Sequence, residues 1–159
     1  MKTSNFIFLL IFLLASCKDE GDEITNSQII GSWYQDARNY DSNLSYRNSI
    51  IFNVDGTFEA SLQVVETVNS NNIIGYMSLS KGEYQITNNT LSRFNIEQYG
   101  LDNANPYLNR DELILEASTA RTTSIILQLN KSRDALKLLY NCREEESMCI
   151  TEQTYYRRD

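Results

Sequence analysis

The sequence specifies an all-β protein, and three observations say so. From residue 30 onward apolar and polar residues alternate with period two in run after run, the signature of strands with one buried face. Turn pairs such as Asp55-Gly56 and Asn88-Asn89 punctuate those runs. Past the opening apolar block, no stretch sustains a 3.6-residue period with caps, and the chain has a single proline. A sheet with one apolar face must close on itself or pack on a second sheet, so a barrel or a sandwich follows.

Taken in order, the first element is residues 1–16. Lys2 gives a positive start, and Phe6 to Leu14 (FIFLLIFLL) is uninterrupted apolar sequence. That block is too short for a bilayer core, which needs about 20 apolar residues; with small residues at its end it describes a secretory signal. Leu14-Ala15-Ser16-Cys17 resembles the lipobox of bacterial lipoproteins. The resemblance implies diacylglycerol on Cys17 through a thioether, cleavage before it and acylation of the freed amine. Ordinary secretion with an incidental cysteine is the alternative. Lys18-Asp19-Glu20 resembles an export tag for the outer face of a Gram-negative outer membrane; a solvated tether start is the competing reading. Residues 17–28 are thus expected to be a lipidated cysteine and a flexible acidic tether reaching about 18 Å, with one folded domain over 29–159.

The strands come next. Ile30-Gly31-Ser32-Trp33 opens the first. In 50–54 Ile50, Phe52 and Val54 share a face; in 57–64 Phe58, Ala60, Leu62 and Val64 do; in 83–87 Tyr84 and Ile86 do. Residues 73–80 continue into 83–87 through a bulge at Gly82. Further candidates are 90–97, 112–116, 123–130, 135–141 and 150–157. Asp55-Gly56 predicts a type I′ hairpin turn. A calcium loop around that pair fails, because its first ligand position would fall on Ile51.

Charge narrows the partners. The formal net charge is -7 with no basic cluster, which argues against nucleic acid. Anionic lipid heads would repel such a body, so attachment would rest on more than one acyl chain. If Cys17 carries lipid, Cys142 and Cys149 remain as a pair for a disulfide at a hairpin tip, contributing about 2.5 kcal/mol in the chain-entropy model. Two free buried thiols are the alternative. A metal site lacks histidine and a third available thiol.

The order of the pieces IIGSW, IIFNVDGTF, GEYQITNNTL and TYYRR is similar to the lipocalin-like domain of Gram-negative surface lipoproteins, over about residues 28–158. Gly-x-Trp at the first strand resembles the lipocalin and calycin barrels. This implies an up-and-down antiparallel barrel of eight strands with Trp33 near its base. A basic residue of the last strand, Arg157 or Arg158, would stack on that tryptophan for about 1 kcal/mol. Loop lengths agree with a cup: 36–46 and 98–110 are long, 68–72 is medium, and the alternating Asp55-Gly56 and Asn88-Asn89 are tight. A direct count gives nine candidate strands, and nine would put both arginines at the mouth. Residues 110–116 are the candidate extra piece, a flap or an edge strand.

Chemistry is sparse. With no histidine the usual Ser-His and Cys-His pairings are excluded, and the acidic runs at 19–23 and 144–146 read as solvated charge. The expectation is a protein without catalytic activity, cofactor or metal. Two function classes follow. In one, the barrel binds a small hydrophobic ligand lined by Phe52, Phe58, Leu62, Tyr84, Ile86, Leu127 and Leu138; those residues filling the barrel completely is the competing reading. In the other, Tyr40, Tyr46, Tyr99 and Tyr107 in or beside the long loops bind glycan or a protein partner. Localisation follows the front end: lipid-anchored in the outer membrane, on its cell-surface face if the export tag holds.

Overall fold

A computed structural model of the chain describes residues 23–41, 44–67, 71–102, 104–120, 123–142 and 150–157. Residues 1–22, expected to hold a signal segment and Cys17, lie outside the described residues, as do Cys149 and Arg158.

The described chain is a closed antiparallel barrel. Its strands are β1 (Gly31–Asp41), β2 (Leu44–Phe52), β3 (Thr57–Val65), β4 (Ile73–Thr87), β5 (Thr90–Gly100), β6 (Ile114–Thr119), β7 (Thr123–Leu129), β8 (Ala135–Tyr140) and β9 (Glu152–Arg157). The hydrogen-bonded order runs β4-β3-β2-β1-β9-β8-β7-β5, and β4 pairing with β5 closes the ring.

Nine segments occupy eight positions around the wall. β7 pairs with the first half of β5, with Arg93 opposite Thr123. β6 pairs with the second half, with Ile96 opposite Thr119. The extra strand therefore extends the same edge and adds no turn to the barrel. The last strand keeps its direction, and Arg157 lies opposite Trp33 on β1.

The turns follow local chemistry. Asn88 and Asn89 both take positive φ (49° and 59°), as a two-residue I′ turn requires. At Asp55-Gly56 the expected I′ turn is corrected: only Gly56 has positive φ (84°). Gly56 N donates to the Asn53 carbonyl and Asn53 N to the Thr57 carbonyl, which makes a longer loop ending in a glycine bulge. The Asp55 carboxylate accepts from Thr57 N and Oγ1, and these bonds hold its pKa below the usual value.

Residues 73–87 form one strand, as the bulge reading implied, but the extra residue is on β5. Register shifts between Lys81 and Glu83, where Asn95 takes φ 51°. A Cβ on Gly82 would stand 2.8 Å from the Phe94 carbonyl oxygen, so this crossing needs glycine. Past the bulge, Ile96 and Gln98 of β5 face inward.

Two boundaries differ from expectation. The first long loop is mostly strand, since β1 runs to Asp41 and β2 starts at Leu44. Its polar residues read as loop, yet cross-strand pairing overrides that composition. The tether also ends early. Asn26–Ile29 form a single helical turn (α1), Ile24 is buried, and Ile24 N donates to Asn89 Oδ1 at 2.6 Å. Apolar Ile24 and Ile29 have a core to enter, and burying them outweighs the flexibility of the polar residues around them.

Candidate functional site

Side-chain parity divides the barrel into two halves. In the base half Ile24, Ile29, Trp33, Phe52, Phe58, Tyr84, Leu91, Leu127, Leu136 and Leu138 form one packed cluster. Trp33 is fully buried; its Nε1 donates to the Ile29 carbonyl at 2.7 Å. The Arg157 guanidinium stands 4.5 Å from the Trp33 ring centroid and donates to the carbonyls of Gln28 (2.9 Å) and Ile30 (3.3 Å). These bonds tie β9, α1 and β1 into a closed floor.

Of the seven residues expected to line a cavity, Phe52, Phe58, Tyr84, Leu127 and Leu138 pack against one another within this cluster, and Ile86 leans on it. The Phe52 and Tyr84 rings meet edge to face at 5.0 Å, and Tyr84 Oη donates to the Asn53 carbonyl. Leu62 is placed apart, half-buried and higher up β3. These residues fill the base.

The mouth half differs. Asn48, Leu62 and Ser78 share the inward face by register, as do Ser80 and Gln98. Ser78 and Gln98 are exposed although they point inward, and Asn48 and Leu62 are half-buried. Asn48 Nδ2 donates to Gln35 Oε1 across β1 and β2. On the opposite face Ser49, Arg47 and Gln63 are buried. Arg47 Nε donates to the Asp36 carboxylate at 2.8 Å, and its guanidinium lies 5.4 Å from the Tyr34 ring centroid. Its Nη2 and the Gln63 Oε1 opposite have no hydrogen-bond partner.

Between the halves lies a polar layer that sequence reading passed over. Arg93 shares the inward face with Tyr84 and Thr123. Its Nε donates to Thr123 Oγ1 at 3.3 Å, and its guanidinium carbon stands 5.5 Å from the Phe58 ring centroid. Tyr140 and Tyr155 both donate to Gln153 Oε1, at 2.8 and 3.1 Å. Burial lowers the Arg93 pKa and raises those of Tyr140 and Tyr155. One signal was legible: Arg93 sits two residues after the core residue Leu91 in an alternating run. Arginine in such a run reads as outward-facing by default, which hid it.

Gln153 also lines a cleft of about 710 Å³ at the β1–β9 seam. Among the described residues these strands pair only at Trp33–Arg157 and Tyr34–Tyr156. Tyr34, Gln35, Asp36, Glu152 and Thr154 complete the walls. Gln35 and Gln153 face inward while Tyr34 and Tyr156 face outward, so the cleft cuts through the wall toward the polar layer.

The loop tyrosines do not form one exposed cluster. Tyr46 faces inward opposite Val64. Tyr99 is half-buried, its hydroxyl on Glu97 and Lys81 Nζ 5.3 Å from its ring centroid. Tyr107 packs where a Cβ on Gly75 would stand. The Tyr40 side chain lies outside the described residues. Among the described residues, no group of three His, Cys, Asp or Glu side chains is placed to hold a metal.

Fold and site together define a class: a small antiparallel barrel with a sealed floor and a polar layer above it. Comparison with protein-family models, curated proteins and solved structures finds no match to this chain.

Proposed function

We propose that this protein is a non-catalytic, membrane-anchored lipocalin-like lipoprotein that binds a small ligand in the mouth half of its barrel. One observation carries the reading. Inward-facing Ser78 and Gln98 remain exposed above a base that is packed shut. A ligand there meets polar side chains and, on β3, Leu62, so it needs both a polar end and an apolar body.

The anchoring reading rests on LASC at 14–17 and on the net charge of -7, which leaves attachment to acyl chains. Ile24 packs at the base, so the tether leaves from that end and the mouth points away from the outer membrane. The same reading pairs Cys142 with Cys149. It is supported by Cys142 being a bonded cysteine, with its Sγ 3.4 Å from the Ile150 carbonyl oxygen on the returning strand side. The alternative, a filled barrel recognising glycan or protein through loop tyrosines, has less support because Tyr46, Tyr99 and Tyr107 are each engaged within the fold.

Native mass spectrometry of protein purified from its host's membranes tests the proposal. The expected result is an acylated Cys17 and a co-purifying small molecule at about one per chain. Protein with an unmodified Cys17 and no bound molecule under mild extraction refutes it.

A further inference from the structure

Among the described side chains two arginines, Arg93 and Arg157, point into the barrel, and their surroundings differ. Arg157 is used in the floor, against Trp33 and two carbonyls. Arg93 has one hydroxyl and, 5.5 Å from its guanidinium carbon, the Phe58 ring. Among the described residues no carboxylate forms an ion pair with it. The chain carries 21 acidic residues, yet among the described side chains of β1–β5 and β7–β9 no Asp or Glu takes an inward position by register. Glu116 of β6 leans over Gly100. Gly100 is seven residues up β5 from Arg93, about 20 Å along the strand.

We infer that Arg93 is an anion anchor, holding the carboxylate end of a small amphipathic ligand whose body lies toward the mouth. This rests on the binding reading above and adds the chemical class of the ligand. A guanidinium taken out of water needs compensating partners. A hydroxyl and an aromatic face compensate in part, whereas a carboxylate offers two parallel charge-assisted hydrogen bonds that match the guanidinium fork. Burial already lowers the Arg93 pKa, which is the missing solvation an anion would replace. Tyr140 and Tyr155 stand beside it with hydroxyls gathered on Gln153, and these can turn to a second acceptor. Gln153 lies at the seam cleft, so the layer is reachable from the side as well as from the mouth.

The sign of the preference makes the proposal testable. With a net charge of -7, unspecific electrostatics favour a cationic amphiphile. Isothermal titration of the protein with decanoate, decanol and decyltrimethylammonium at matched ionic strength reads the preference directly. Wild-type protein is expected to bind decanoate over the cation. Arg93→Gln should weaken decanoate about tenfold or more while leaving decanol unchanged, and Arg93→Lys should fall between. If Arg93→Gln does not fold, the wild-type comparison of decanoate with decyltrimethylammonium decides, and equal binding or a preference for the cation overturns the anchor. Decanoate that binds Arg93→Gln as tightly as wild type overturns the anchor and leaves the binding reading standing. Failure of all three probes overturns both.

Discussion

The two halves of this barrel are built from the same strands but differ in the residues they turn inward. In the base, inward residues are apolar and shut away: Trp33, Phe52, Leu127, Leu136 and Leu138 are at most 1% exposed. In the mouth, inward Ser78 and Gln98 are exposed while outward Ser49, Arg47 and Gln63 are buried. The switch occurs within single strands. On β2, Ile50 and Phe52 point into the core while Asn48 and Tyr46, on the same face, do not enter it. Stability therefore belongs to the base, and freedom to vary belongs to the mouth, as expected of a scaffold that carries a site at one end.

The largest effect that would break this contrast is at the floor. Trp33→Ala empties a fully buried site and should cost about 4 kcal/mol, read from the denaturant midpoint. A loss comparable to that of a mouth substitution would mean the floor is not where stability resides. Arg157→Met removes the ring contact and leaves two carbonyls short of a donor, for about 2 kcal/mol. Asn89→Ala should cost about 1 to 2 kcal/mol, because the residue takes positive φ and its Oδ1 accepts from Ile24 N. Asn89→Gly separates these terms by relieving the backbone strain alone.

An alkaline titration sharpens the comparison at the boundary. Burial, then Tyr140, raise the Tyr155 pKa above that of an unfolded tyrosine, about 10. The folded state thus binds a proton that the unfolded state releases. Its contribution is complete below about pH 10 and declines as pH rises toward the folded pKa. Tyr155→Phe should make the fall in stability above pH 10, read from the denaturant midpoint, shallower by about 1.4 kcal/mol per pH unit at most. An unchanged slope would show that Tyr155 ionises as freely folded as unfolded. The smallest effects belong to the mouth, where Ser78→Ala and Gln98→Ala should each stay within about 0.5 kcal/mol of wild type.

Much of the wall was legible because period two is a local signal. Phe52, Phe58, Tyr84, Leu127 and Leu138 were named as inward from alternation alone, and all five are in the core. Asn88-Asn89 read as a turn from its residue types, and the extra strand was sought next to the segment that forms it. Arg93 escaped notice because alternation gives a side chain's parity and not its surroundings. Its phase matched Leu91, but only the assembled ring reveals Phe58 under it, Thr123 beside it and no ion pair to it among the described residues. Leu62 shows the same limit: its parity is inward, and its height on β3 takes it out of the packed cluster.

The sequence by itself determined the strands, most turns and the inward face of the base, because those follow from the conformational preferences of neighbouring residues. Whether β6 made a ninth stave or extended an existing one was decided by the tertiary structure, since that depends on which half of β5 each segment pairs with. That pairing also set Arg157 on Trp33 and two carbonyls, and it left Arg93 in the wall without an ion-pair partner among the described residues.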